Sequence, residues 1–117
     1  MRALQQLPVL VLGLGDSGLA MVRWCVRHGA NVMVVDTREH PPHLAELQAQ
    51  HPDVVFQHGP FEASLIEEQS IRAVFKSPGL SPESVSPVWQ AAQAAGLWVG
   101  TELTLFAQAL EIGRAHV

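Results

Sequence analysis

The feature that most constrains the fold is a short apolar run that ends directly in a glycine-rich turn. Residues 9–12 read Val-Leu-Val-Leu, and residues 13–18 read Gly-Leu-Gly-Asp-Ser-Gly. An unbroken apolar run is typical of a strand that is buried on both faces, as in a parallel sheet. Apolar residues then recur at helical spacing from Leu19 to Val26, so the turn is predicted to join a strand to a helix that Asp16 or Ser17 caps.

The same alternation of strand and helix patterns continues along the chain. Further strands are predicted at residues 31–36, 54–56, 73–75 and 97–99, and further helices at residues 41–50, 61–69, 86–95 and 102–110. Strands that alternate with helices imply a parallel sheet with right-handed crossovers. We therefore predict an α/β fold, a Rossmann-like open parallel sheet of about five strands with helices on both faces.

Composition limits the class of protein. The chain has 117 residues, of which 48% are hydrophobic and 15% charged, which suits one folded domain and excludes a disordered tail. The longest apolar run is far shorter than the roughly 18 residues of a membrane span. A net charge of −4 without a basic stretch gives no support for nucleic-acid binding. We expect the protein to be a monomer. We expect it to be cytoplasmic, because the first residues lack the apolar core of a signal peptide. Cys25 is predicted to be a buried hydrophobic residue.

The glycine turn has the pattern G-x-G-x-x-G in the context that phosphate binding requires. Glycines let the backbone approach a phosphate closely, and the N-terminus of the following helix offers free N–H groups and a partial positive charge. Asp16 is expected to point away from the anion, because its carboxylate would repel a phosphate. Ser17 and the backbone N–H groups are then left to bind the anion. A tight turn that binds nothing is the alternative interpretation.

Two further turns follow predicted strands and are expected to meet the glycine turn. Asp36 ends the second strand. In dinucleotide-binding folds an acid near this position accepts hydrogen bonds from the ribose hydroxyls. The alternative is that Asp36 only forms the turn. Arg38 is suited to a phosphate or a base, or it is an ordinary solvated arginine. Residues 77–79, Ser-Pro-Gly, follow the fourth strand. Because ligands of open α/β sheets bind at the carboxyl ends of strands, we predict that the three turns converge on one ligand.

Other residues give no support for catalysis or metal binding. His40 and His43 have a spacing of three residues but flank two prolines and lack a clear third ligand. The three tryptophans are interpreted as covering the edges of the core. We find no Walker loop, no G-x-S-x-G motif and no Cys/His pair, so no catalytic residue and no metal ligand is predicted.

Four segments together resemble the N-terminal domain of the Mur ligases, most closely the D-glutamate-adding members. They are Val-Leu-Gly-Leu-Gly-Asp-Ser-Gly at 11–18, Val-Asp-Thr-Arg at 35–38, Lys-Ser-Pro-Gly-Leu-Ser-Pro at 76–82, and Gly-Thr-Glu-Leu-Thr-Leu-Phe at 100–106. The resemblance covers roughly residues 7–110, and the second and third segments are far more specific than the glycine turn. In the fourth, Thr101 and Thr104 depart from the family pattern, which weakens any substrate role for Thr104.

The resemblance implies a domain that holds the UDP part of UDP-N-acetylmuramoyl-L-alanine in peptidoglycan precursor synthesis, in a bacterial cytoplasm. Carried over by position, the UDP-binding residues are Leu14, Gly15, Asp16, Ser17, Gly18, Asp36, Thr37, Arg38, Ser77, Pro78 and Gly79. The resemblance also implies that ATP, Mg²⁺ and D-glutamate belong to the full-length ligase, with no cofactor in this chain. Residues 1–110 are then the UDP-binding domain, and residues 111–117 begin a linker to an absent ATP-binding domain or are a cloning remnant.

Two alternative functions stay open at this point. The glycine turn and Asp36 also suit an NAD(P)-binding regulatory or dehydrogenase domain, in which Arg38 would bind a 2′-phosphate. A non-enzymatic scaffold that merely uses the fold is the other, because fold does not determine function.

Overall fold

Strands and helices alternate throughout the computed structural model, which describes residues 5–68 and 70–101. The strands are β1 Pro8–Leu12, β2 Asn31–Asp36, β3 Val55–His58, β4 Ala73–Lys76 and β5 Trp98–Thr101. The helices are α1 Asp16–Arg27, α2 Leu44–Gln50, α3 Ser64–Glu68 and α4 Pro82–Ala94. The predicted helix at 102–110 and the segment 111–117 lie outside the described residues, so the extent of the domain stays a prediction.

All five strands form one parallel sheet in the order β3-β2-β1-β4-β5. The chain first builds outward from β1 to β3 and then returns to the other side of β1, so the direction of winding reverses between β1 and β4. Leu12 is aligned with Val35 of β2 and with Lys76 of β4. The carboxyl ends of three strands therefore lie level at the reversal point, and the predicted fold class is confirmed.

Each face of the sheet is covered by its own pair of helices. Side chains of α1 and α2 form one core with one set of strand residues, and side chains of α3 and α4 form a second core with the alternate set. Residues 9–12 of β1 are completely buried because both cores contact this central strand. The continuous apolar run in the sequence is thus explained by burial on both faces.

Cys25 lies on the inner face of α1 and is completely buried. Burial raises the pKa of its thiol to about 12, since the apolar core disfavours the thiolate. The prediction of a buried, unreactive cysteine is confirmed.

The predicted cap of α1 is wrong. The residue before the helix is Gly15, whose extended backbone (φ −92°, ψ −160°) starts α1 without a side-chain cap. Asp16 and Ser17 therefore lie within the first helical turn, where neither caps the helix. This leaves the first N–H groups of α1 without a partner from a capping side chain.

The predicted start of α4 is also wrong, by four residues. Ser81 caps the helix, because its Oγ accepts a hydrogen bond from the Ser84 N–H at 3.2 Å, and Pro82 occupies the first helical position. Pro87, which the sequence suggested as the start, lies inside the helix on an exposed position. A proline in the first turn of a helix is common. Pro82 and Pro87 therefore each indicate a possible helix start, and the helix begins at Pro82, where Ser81 provides the cap.

Candidate functional site

A cavity of about 350 Å³ lies at the carboxyl ends of β1, β2 and β4, and we name it the switch-point cavity. Its lining comes from three turns that are distant in sequence: Gly13, Gly15, Asp16, Ser17, Asp36, Thr37, Arg38, Ser77, Gly79 and Leu80. The structure therefore brings together the three turns that the sequence predicted to converge. The cavity lies at the reversal of strand order, where open α/β sheets bind ligands.

Two glycines are required for the turn to pack. Gly13 has φ +91°, and a Cβ there would lie 3.1 Å from Leu80 Cδ1 and 3.2 Å from Ser77 Oγ. A Cβ on Gly18 would overlap the carbonyl oxygen of Gly13, which is backbone and cannot move aside. Gly18 thus lets α1 approach the end of β1 closely, as the pattern predicts.

Gly15 differs from both of these glycines because a Cβ on it would have no atom within 4 Å. It lines the switch-point cavity directly before α1. The first intrahelical bond runs from the Leu19 N–H to the Gly15 carbonyl. The N–H groups of residues 16–18 have no partner in the part of the chain described here, so this edge of the cavity offers hydrogen-bond donors and a partial positive charge to an anion.

Asp36 is a charged residue that the fold buries, with only 2% of it exposed. Its Oδ2 accepts hydrogen bonds from the Leu14 N–H at 2.8 Å and from Arg38 Nη2 at 2.9 Å. Its Oδ1 accepts from the Arg38 N–H at 2.8 Å and from Arg38 Nε at 3.0 Å. Because a carboxylate has about four acceptor positions, the carboxylate is fully occupied by protein donors and ties the glycine turn to Arg38.

The ion pair between Asp36 and Arg38 is charged at neutral pH. Burial by itself would raise the pKa of Asp36, but the hydrogen bonds from Arg38 and Leu14 outweigh it and hold that pKa below its usual value. The same pair raises the pKa of Arg38. The Arg38 side chain stays 52% exposed, so its guanidinium is oriented by Asp36 while it still faces the switch-point cavity.

Ser77 contributes a buried hydroxyl that has no hydrogen-bond partner among the described residues. Its Oγ lies close to the positions of Gly13 and Gly18. A buried polar atom that lacks a partner is uncommon. The Ser77 residue lines the switch-point cavity, although its Oγ is itself covered by neighbouring atoms.

The remaining predicted residues differ in placement. Asp16 lines the cavity, but its carboxylate contacts His43 at 2.5 Å. Leu14, Gly18 and Pro78 are not among the lining residues, and the Leu14 side chain is completely buried. Contact of these three with a ligand stays a prediction.

Sequence reasoning missed Leu80 and His43 as residues of this site. Leu80 lies over Gly13 and lines the cavity. The signal for it was an isolated apolar residue inside a polar turn, although Leu80 also packs against the core that α3 and α4 form. His43 carried no such signal, because its contact with Asp16 spans 27 residues.

Two kinds of feature are absent from the residues that the structure describes. No group of three or more His, Cys, Asp or Glu side chains is arranged to hold a metal ion. No helix there is long and apolar enough to cross a membrane.

Solved structures with a similar fold share little sequence with the chain. The Bordetella bronchiseptica enzyme WbmH, solved in complex with NAD⁺, superposes with a TM-score of 0.60 at 20% identity, over 80% of this chain and 37% of that one. The A chain of dipicolinate synthase from Bacillus subtilis gives a TM-score of 0.52 at 18% identity, over 97% of this chain and 47% of that one. At these identities the likeness concerns the fold alone.

Sequence relatives are much closer. The UDP-N-acetylmuramoylalanine–D-glutamate ligases of a Polaromonas species and of Albidiferax ferrireducens are each 56% identical to the chain over 110 residues, which is 94% of its length. The chain spans about a fifth of those ligases, 19% and 22% respectively. The family model for the Mur ligase MurD-like N-terminal domain matches residues 8–100. The chain therefore belongs to the MurD-like N-terminal domain family of the Mur ligases.

Proposed function

We propose that this domain holds the UDP part of UDP-N-acetylmuramoyl-L-alanine for a ligase that adds D-glutamate in peptidoglycan precursor synthesis, in the bacterial cytoplasm. The observation that carries the proposal is the convergence of the three turns on the switch-point cavity. The relatives at 56% identity are named for that ligase activity. The domain acts in binding only, as a monomer, and supplies no catalytic residue.

The pyrophosphate is proposed to bind at the edge of the cavity that the glycine turn forms. The open space beside Gly15 lets an anion approach the backbone, and the N–H groups of residues 16–18 then donate to it. The Ser77 hydroxyl, which has no partner among the described residues, is proposed to turn into the cavity and donate a further hydrogen bond. Together these neutral donors offset the phosphate charges without a lysine in the glycine turn.

The uridine is proposed to contact the turn that follows β2. Thr37 and Arg38 are exposed and line the cavity. The Asp36 carboxylate already accepts four hydrogen bonds from protein donors. We therefore assign Asp36 to orienting Arg38 and the glycine turn, with the guanidinium contacting the base or a phosphate.

The same occupancy of Asp36 separates this proposal from a dinucleotide-binding module. In such modules an acid at the end of the second strand accepts hydrogen bonds from the ribose hydroxyls of NAD. Here those hydroxyls would have to displace Arg38 or Leu14 from the carboxylate. This observation favours UDP over NAD(P).

The group-transfer chemistry is proposed to lie in the remaining four fifths of the ligase. ATP, with Mg²⁺, supplies there the phosphoryl group that activates the substrate carboxylate for the D-glutamate amine. No group of three or more His, Cys, Asp or Glu side chains that could hold a metal ion lies among the described residues. We assign no step of that chemistry to this domain.

Calorimetric titration tests the proposal. UDP and UDP-N-acetylmuramoyl-L-alanine are expected to bind the 117-residue chain, and NADH and NADPH to bind at least about tenfold more weakly, a difference of about 1.4 kcal/mol. Tighter binding of either dinucleotide would contradict the proposal. So would the absence of heat from both UDP ligands at millimolar concentration.

A further inference from the structure

A histidine from outside the three turns contacts the edge of the switch-point cavity. Asp16 is the first residue of α1 and its side chain is 97% exposed. Its Oδ1 lies 2.5 Å from Nε2 of His43, the residue that precedes α2. The Asp16 side chain lies beside the unpartnered N–H groups of α1. It is held there by His43, which directly precedes α2.

The second ring nitrogen of His43 is also occupied by a carboxylate. His43 Nδ1 lies 2.8 Å from Glu46 Oε1. A neutral imidazole carries only one N–H, whereas the imidazolium carries two. Because both nitrogens face carboxylate oxygens, both contacts are hydrogen bonds only when His43 is protonated.

The charged groups around His43 favour the protonated ring. Hydrogen bonds to Glu46 and Asp16 raise the pKa of His43. Glu46 in turn pairs with Arg23 of α1 at 3.5 Å. These four side chains connect α1 to the start of α2 through alternating charges.

We propose that His43 is a positioning residue for the anion site, which it controls by neutralising and holding the Asp16 carboxylate at the N-terminus of α1. This inference rests on the proposed binding of UDP at the switch-point cavity. With His43 protonated, the Asp16–His43 pair has no net charge beside the pyrophosphate. When His43 loses its proton, the Asp16 charge is left uncompensated and repels the phosphates.

The direction of the pH effect follows from this charge balance. Ligand binding favours protonated His43, so affinity is greatest at low pH and falls as the pH rises through the pKa of His43. One additional negative charge several ångströms from a solvated anion weakens binding by about two- to fivefold. Salt reduces the effect, because the charges are exposed.

The first test measures the affinity for UDP-N-acetylmuramoyl-L-alanine by calorimetry between about pH 6 and pH 9, the range in which a perturbed histidine titrates. The diester pyrophosphate of this ligand does not titrate there, unlike the terminal phosphate of UDP. The wild-type chain is expected to lose about two- to fivefold in affinity over the range. The affinity of the His43→Gln variant is expected to be independent of pH and close to the affinity of the wild-type chain at high pH.

His40→Gln is the matched control, because His40 is 83% exposed and its ion-pair contact is with Glu39 at 3.9 Å. It is expected to keep the wild-type slope. Equal slopes for His43→Gln and the wild type would overturn the inference while leaving UDP binding intact. Failure of the wild-type chain to bind the ligand at any pH would instead overturn the proposed function and this inference with it.

A second test needs no ligand. The His43 ring resonances, assigned by comparison with His43→Gln, are expected to titrate at a higher pH than an ordinary histidine side chain. Asp16→Asn removes one of the two carboxylates that contact His43 and is expected to lower the pH at which His43 titrates. An unchanged His43 titration in Asp16→Asn would overturn the proposed pairing.

Discussion

The Leu14 N–H donates a hydrogen bond of 2.8 Å to the buried carboxylate of Asp36, 22 residues further along the chain. The bond connects the glycine turn after β1 to the end of β2. It exists because Leu12 is aligned with Val35 in the parallel ladder, which brings the two turns side by side. The Asp36 carboxylate is therefore as much a part of the fold as of the candidate site.

Replacing Asp36 by alanine is expected to destabilise the chain by about 1.5–3 kcal/mol, the usual value for a hydrogen-bonded charge. The variant leaves the Leu14 N–H buried without its acceptor and frees the guanidinium of Arg38. Urea unfolding followed by circular dichroism measures the loss. Asp53→Ala is the control, because Asp53 is exposed, and it should change the free energy of unfolding by less than about 0.5 kcal/mol.

The stabilisation by Asp36 is expected to depend on pH. Because the pKa of this carboxyl is lowered in the folded chain, its contribution is complete above the unfolded value of about 4 and is lost as the pH falls through the folded value. The stability difference between the wild type and Asp36→Asn should be constant from about pH 5 upward and shrink below about pH 4. A difference that grows with acidification would contradict the assignment.

Gly15 and Gly18 are expected to separate binding from folding. Gly18→Ala should cost about 3 kcal/mol or more, because its Cβ overlaps the Gly13 carbonyl. Gly15→Ala should cost less than about 1 kcal/mol, since its Cβ meets no atom. Gly15→Val should weaken UDP binding at least about tenfold by filling the phosphate position. Unchanged affinity in a folded Gly15→Val chain would refute that placement.

Ser77→Ala is expected to reduce binding without reducing stability. The Ser77 hydroxyl is buried and has no partner among the described residues, so its removal should change the free energy of unfolding by less than about 0.5 kcal/mol, while UDP binding weakens by about 0.5–1.5 kcal/mol. Ser81→Ala should show the opposite pattern, because it removes the cap of α4. A Ser77→Ala chain with full affinity would exclude the hydroxyl from the ligand contacts.

The sequence was sufficient to predict the strands and the helix whose apolar residues are buried. The apolar runs of β1, β2 and β4 and the inner face of α1 are periodic patterns, and all of them form as predicted. The capping residues were not predictable in the same way. Asp16 is a good capping residue type, yet Gly15 takes that position.

The sequence predicted the location of the site, because it predicted where the strands end. Parallel strands place their carboxyl ends at one edge, so the meeting of the three turns followed from topology. The hydrogen-bond partners did not, because they depend on register and side-chain packing across long sequence separations. The Leu14 donor to Asp36 and the contact of His43 with Asp16 are of this kind.

The most direct test of the account is to map UDP onto the folded chain by backbone amide NMR. The predicted result is that the amide resonances of residues 15–18, 37–38, 77 and 79 shift on addition of UDP, at the carboxyl ends of β1, β2 and β4. A second cavity, of about 490 Å³, lies against Asn31, Val55 and Ile71 at the opposite ends of the strands. Shifts confined to that second cavity, or no shifts at saturating UDP, would contradict the account.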